Sequence, residues 1–297
     1  MREYEATVLS TDRYELGECC RWDEVREEVS WVDVPAGRFY RARAASDLTI
    51  LHTYQVEGYV SAVAPFADRS RGWIIALNQS ISHLDESGEV HELAQPEARH
   101  APDVRMNDGA CDPWGRFLVG SMAFDVAAGR GSFYRFESGG TVETLFTNVT
   151  VSNGVGWSPD ARTMYYVDSG PGTIETMSVG DNGALGERKP FLRFDPAQVL
   201  TPDGLCVDEE GCLWVAFWDG GEVRRFSPRG EQLARVVLPV SRPTCCALGG
   251  ETGTTLFITS AWEGLSDQQL SLQPDAGRLF SVDVGVRGLP INTFARE

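Results

Sequence analysis

The sequence contains no apolar stretch approaching the length of a membrane span, and its first residues, MREYEATVLS, lack the apolar core of a secretory signal. Membrane insertion and export are not expected, and the chain reads as cytoplasmic. Histidine is scarce: His52, His83, His91 and His100 are the only four, and none falls at the recurring positions described below. A Ser-His-Asp triad, a histidine-based zinc site and HExxH chemistry are excluded on that ground. GWSPD around Ser158 lacks the glycine that follows the serine of a nucleophile elbow. There is no P-loop and no Rossmann fingerprint. The seven cysteines are odd in number and show no zinc-ribbon spacing. Adjacent pairs such as Cys19–Cys20 seldom bridge each other, so the cysteines read as small buried hydrophobes. The sequons at Asn78 and Asn148 are then chance matches. Helical periodicity is nearly absent; only residues 266–273 leave room for one short turn.

What is present is acidic and rich in β-formers. Asp and Glu number 43 against 26 Lys and Arg, a net charge of −17. That field repels phosphate backbones and anionic headgroups, which makes nucleic acid and membrane surfaces poor partners. A solvated acidic surface is the simplest account of the charge. The apolar share of 42% and aromatic share of 10% suffice for a large core. The 297 residues fit one all-β domain, taken here as 1–297.

Internal repetition organises the chain. NDGACDPWGRFLVGSM, SNGVGWSPDARTMYYVDS and PDGLCVDEEGCLWVAFW share one plan: a polar residue with Gly, an apolar run, an Asp-containing turn and a second apolar run. Each reads as a β-hairpin. GECCRWDEVREEVSWVDV, VSAVAPFADRSRGWIIAL and RPTCCALGGETGTTLFITS are weaker copies. Their starts lie about 40–50 residues apart, the period of a four-stranded propeller blade. Six such repeats predict a six-bladed β-propeller, with a strand over 4–9 closing the ring on the last blade.

Equivalent positions on the innermost strands of a propeller converge on its axis. Here they carry Glu18, Ser61, Asn107, Asn153, Asp203 and Thr244. Each alone reads as a turn former before a strand. Together they place two carboxylates across a narrow pit, which repel unless a cation lies between them. Carboxylate and amide oxygens suit a hard divalent cation, Ca²⁺, Mg²⁺ or Mn²⁺, with Zn²⁺ left open.

These segments resemble the SMP-30/gluconolactonase/regucalcin-like family of six-bladed propellers. The likeness runs from LGECCRWDEVREEVSWVDV through RMNDGACDPWGRFLVGSM and TPDGLCVDEEGCLWVAFWDGGEVRRFSP to the tail AGRLFSVDVGVRGLP, essentially the whole chain. The resemblance implies metal ligands at Glu18, Asn153 and Asp203, and substrate contacts at Arg105 and Asn107. It implies divalent-metal-dependent opening of a lactone, most readily a sugar lactone such as an aldonolactone. Asp203 is then either the general base or a ligand alone, and Arg105 either a substrate contact or a structural ion-pair residue. An esterase or phosphotriesterase on the same pit, and a non-enzymatic calcium-binding regulator, stand as alternatives.

Two departures from the family pattern matter. Cys19–Cys20 stand where a small residue and proline usually follow the glutamate, which leaves a sulfur ligand conceivable. Phe124 and Asp125 stand where some members carry an acidic pair. Phe124 predicts a more apolar rim, and competition from lactones with fewer hydroxyls.

Overall fold

The computed structural model describes residues 1–44, 47–100, 102–195 and 200–295. Its strands form six sheets, five of four strands and one of five, arranged as the blades of a propeller. The innermost strands are Gly17–Asp23, Val60–Pro65, Val104–Cys111, Ser152–Trp157, Thr201–Val207 and Pro243–Gly249, one for each of blades I to VI. Each packs against the next, and the last against the first, which closes the ring.

Burial follows position in the blade. The second strands Trp73–Leu77 and Phe117–Ala123 are buried throughout. They are covered on both faces by neighbouring blades, which is why WIIAL and FLVGSMA read as unbroken runs rather than alternating ones. The outermost strand Leu48–Gln55 is mostly exposed. Rings fill the wedges between sheets: Trp31 stacks on Tyr40 at 5.3 Å, with Tyr14 edge-on to Trp31 at 5.5 Å. Each fully buried ring of this size contributes about 1.5–3 kcal/mol by removal from water, so these wedges dominate the core.

Closure by the N-terminal segment is as expected in kind but divided in place. Thr7–Val8 pairs antiparallel with Phe280–Asp283 and completes blade VI. Arg2–Glu5 instead runs parallel to Gln232–Val237 as a fifth strand of blade V. The expectation placed residues 4–9 wholly on the last blade, and for Tyr4 and Glu5 that is corrected. The chain crosses between blades at Ala6, whose N–H donates to Val237 O at 3.0 Å. Tyr4 Oη reaches back to Val284 O at 3.1 Å.

The short turn expected over 266–273 is the helix Asp267–Leu272. Ser266 and Gln269 form a reciprocal capping box at its start. Among the described residues no helix is long and apolar enough to cross a membrane.

Candidate metal centre and substrate pocket

Every innermost strand carries one residue more than its partner. The irregularity falls at Cys19–Cys20, Ser61, Asn107–Asp108, Gly154, Asp203–Gly204 and Thr244–Cys245. A bulge leaves a residue out of the ladder and re-aims its side chain. The six positions read from the repeat starts lie in these bulges or immediately before them. The NG and DG pairs are therefore not turns but strand defects. Their glycines answer to crowding: a Cβ on Gly154 would stand 2.7 Å from Asp203 O, and one on Gly204 2.8 Å from Cys245 Cα.

Bonds at this level stitch successive blades together. Ser61 Oγ donates to Asn107 O at 2.9 Å, Asn107 Nδ2 to Ser152 O at 2.8 Å, and Ser169 Oγ to Pro202 O at 2.6 Å. Thr244 Oγ1 donates to Gly17 O across the closing joint. Val63 N donates to Cys19 Sγ at 3.1 Å between blades I and II.

Three side chains within this hoop keep oxygen lone pairs free among the described residues. Asn153 Nδ2 donates to Ser169 Oγ at 2.8 Å, and Asn107 Nδ2 donates to Asn153 Oδ1 at 3.1 Å, which leaves Oδ1 a second lone pair. Asp203 is 5% exposed, and its Oδ1 is buried without a hydrogen-bond partner. Glu18 Oε2 accepts only from Cys19 N, at 3.0 Å.

Both acids resist ionisation in the metal-free protein. Burial, then the Asp108 carboxylate, pushes Glu18 up to about 8. Burial, then Glu18 and Asp108, pushes Asp203 well above the usual carboxylate range. Two carboxyls that oppose each other's charge, one with an orphaned buried oxygen, form a donor set short of a cation. The residues present fit a hard divalent ion.

Arg105 rises beside them, with Nη1 donating to Asn107 Oδ1 at 2.6 Å and to Met106 O at 3.0 Å. Its Cζ lies 6.0 Å from the Phe124 ring, and Phe124 meets Tyr59 edge-on at 5.1 Å. Both rings are exposed, at 44% and 38%, and so give the mouth an aromatic wall.

Next to the pit, Arg21 pairs with Asp108 at 3.3 Å and donates to Gly109 O at 3.0 Å, which ties blade I to blade III. Beyond it lies a cavity of about 350 Å³ lined by Cys20, Cys206, Cys246 and Trp157 and by none of the expected site residues. Cys20 and Cys19 are both buried in the core. In the trio Asp85, Glu89 and His91 on blade II, the half-buried Asp85 locks a turn: its Oδ1 accepts from Ser87 N at 2.8 Å and Glu89 N at 2.9 Å.

Residues 16–262 match the model of the SMP-30/gluconolactonase/LRE-like region. The chain belongs to that family. Regucalcin of Gallus gallus is 33% identical, over 99% of this chain and 100% of its own. The 6-deoxy-6-sulfogluconolactonase of Pseudomonas putida is 34% identical, over 94% and 95% respectively. The crystal structure of a calcium-binding protein, regucalcin, from Agrobacterium tumefaciens superposes with a TM-score of 0.92 at 26% identity, covering all of both chains. The family takes in proteins named gluconolactonase and regucalcin alike, and its membership supports lactonase activity in general terms.

In this family member, sequence reasoning missed Ser169, Tyr59 and Asp108. Ser169 and Tyr59 lie in connections outside the innermost strands, where no repeat aligns them. Asp108 was readable within NDG, but its bulge aims it down the channel toward Arg21.

Proposed function

We propose that the chain is a divalent-metal-dependent lactonase that opens a lactone to its hydroxy acid. Glu18, Asn153 and Asp203 would hold one cation. Ca²⁺ suits an all-oxygen set that leaves several positions for water and substrate, and Mg²⁺, Mn²⁺ and Zn²⁺ are the ions to compare. The observation that carries the reading is the orphaned Asp203 Oδ1, buried at the same level as the open oxygens of Glu18 and Asn153. A bound divalent cation supplies a Lewis acid for the carbonyl and lowers the pKa of water.

The side chains do the rest. Asp203 takes the proton of the attacking water on its carboxylate, then returns it to the leaving hydroxyl as the ring opens. The Arg105 guanidinium, with one nitrogen already committed to Asn107, offers one of its remaining donors to the oxygen that gains charge. Asn107 has both amide hydrogens bonded, to Ser152 O and Asn153 Oδ1. It fixes Arg105 and Asn153 and offers the substrate one lone pair of Oδ1. No covalent intermediate is needed.

The likeness to the Pseudomonas putida enzyme supports a sugar-lactone substrate, and the aromatic wall adds an apolar face to that class. The deciding experiment is a pH-indicator hydrolysis screen of aldonolactones, aliphatic lactones, aryl esters and phosphotriesters. Each divalent ion is added back to chelated protein. Turnover confined to esters or phosphotriesters would replace the lactonase reading. Ion binding with no turnover would make the protein a calcium-binding regulator.

A further inference from the structure

The cavity beyond Arg21 holds chemistry that the metal pit does not use. Four cysteines line it, Cys20, Cys111, Cys206 and Cys246, beside apolar walls that include Trp157 and Leu289. Two of the four touch: Cys206 Sγ lies 3.9 Å from Cys246 Sγ. They come from neighbouring innermost strands, Thr201–Val207 of blade V and Pro243–Gly249 of blade VI. Each is held in its own ladder, Cys206 opposite Trp214 and Cys246 opposite Ile258. The two stand 40 residues apart in the chain, so the ring of blades makes the contact, not local sequence.

The pair is asymmetric. Cys246 is fully buried, and its thiol donates to Trp214 O at 3.4 Å. A thiol has one proton, so Cys246 turns only lone pairs toward Cys206. Cys206 is half-buried, whereas the other six cysteines of the chain are buried. A small reagent in the cavity of about 350 Å³ therefore reaches the Cys206 sulfur, with a second sulfur in contact behind it. A disulfide bond is about 2.0 Å long, and rotation about the two χ1 torsions can supply the approach of about 2 Å that it needs.

We infer that Cys206 and Cys246 are a peroxide-sensitive dithiol whose oxidation to a disulfide staples blade V to blade VI. The oxidant is a small peroxide, hydrogen peroxide or a short alkyl hydroperoxide, of a size the cavity admits. The Cys206 sulfur, as thiolate, attacks one peroxide oxygen. The O–O bond breaks, the other oxygen leaves and is protonated, and Cys206 becomes a sulfenic acid. The Cys246 sulfur then attacks the Cys206 sulfur. The S–S bond forms, the S–O bond breaks, and the hydroxyl leaves as water with the Cys246 proton. The two thiols lose two electrons and the peroxide gains them; hydrogen peroxide is thereby converted to water. The staple fastens the strand that also carries Asp203, and its formation does not depend on the lactonase reading.

The test exposes the folded, reduced protein to hydrogen peroxide at concentrations that oxidise free cysteine. Thiols are then counted after denaturation, and linked peptides are mapped by mass spectrometry. The protein is expected to lose two of its seven thiols, to show a Cys206–Cys246 linkage, and to regain both thiols with dithiothreitol. Cys246→Ser should halt the reaction at the sulfenic acid, captured on Cys206 by dimedone. Cys206→Ser should give neither adduct nor linkage. Retention of all seven thiols overturns the inference, as does a linkage between other cysteines or passage of Cys206 to the sulfinic acid in the unsubstituted protein. The map of the unsubstituted protein decides the matter even where a variant fails to fold.

Discussion

Ser169 decides which end of the Asn153 amide faces the channel. Its hydroxyl gives its proton to Pro202 O at 2.6 Å, so it can only accept from Asn153, and Nδ2 is the atom that meets it at 2.8 Å. The carbonyl oxygen is thereby turned inward. Ser169→Ala removes the lock, and Ca²⁺ affinity is expected to weaken about ten-fold, as when other orienting partners of metal ligands are lost. Calorimetric titration checks this; unchanged affinity would show that Asn153 is not a ligand.

Asp203→Ala removes both a proposed ligand and the proposed base. Stoichiometric ion binding and turnover should both disappear. Chelation of the native protein should abolish activity and lower Tm, with recovery on adding ion according to RT ln(1 + [L]/Kd). Full activity in the chelated protein would end the metal-dependent mechanism.

The pH dependence of stability has a defined sign. In the folded, metal-free protein Glu18 holds its proton up to about 8, whereas an ordinary glutamate titrates near ~4.3. Between those values the native state binds more protons than the unfolded chain. Stability of the metal-free protein is therefore full below the lower value and declines as pH rises toward the upper. A cation takes the place of the protons, so its stabilising effect should grow across the same window. Tm of chelated and Ca²⁺-loaded protein, measured at about pH 5, 6.5 and 8, should diverge with pH. A constant gap would place the ion elsewhere.

Cys19 sits beside Glu18 with φ of +52°, yet its sulfur is directed to blade II, accepting from Val63 N at 3.1 Å. Cys19→Ser is expected to keep one ion per chain and to cost only about 1 kcal/mol, since the hydroxyl can take over the bond to Val63. Loss of stoichiometric metal from a folded variant would put sulfur among the ligands.

Phe124→Ala strips one of the two exposed rings of the aromatic wall. KM should rise more for the less polar lactones than for aldonolactones, since only the former rely on that face for binding. Equal effects on both classes would assign Phe124 to loop structure alone.

The blades were legible because a buried second strand must be apolar on both faces, and WIIAL or LWVAF admit no other placement. The axis-facing residues were legible because six copies align them. Their mode of presentation was not. A bulge is set by pairing register with a second strand, and nothing in NDG or SNG distinguishes it from a turn. Ser169 was invisible for a related reason. It gains its meaning from a partner on another blade, Pro202, far away in sequence. The split of the N-terminal segment likewise depends on where Ala6 meets Val237, not on the segment's own pattern.

The hoop of interblade bonds through Ser61, Asn107, Ser169 and Thr244 has a bearing on ion selectivity. Widening or narrowing the pit would require several of these bonds to stretch together, since each fastens one blade to the next near the axis. The aperture is accordingly of fixed calibre. A fixed calibre cannot contract around a small ion, and a small ion bound there must retain more of its own water. Since divalent ions share one charge, ionic radius is then the quantity by which the proposed site would tell one from another.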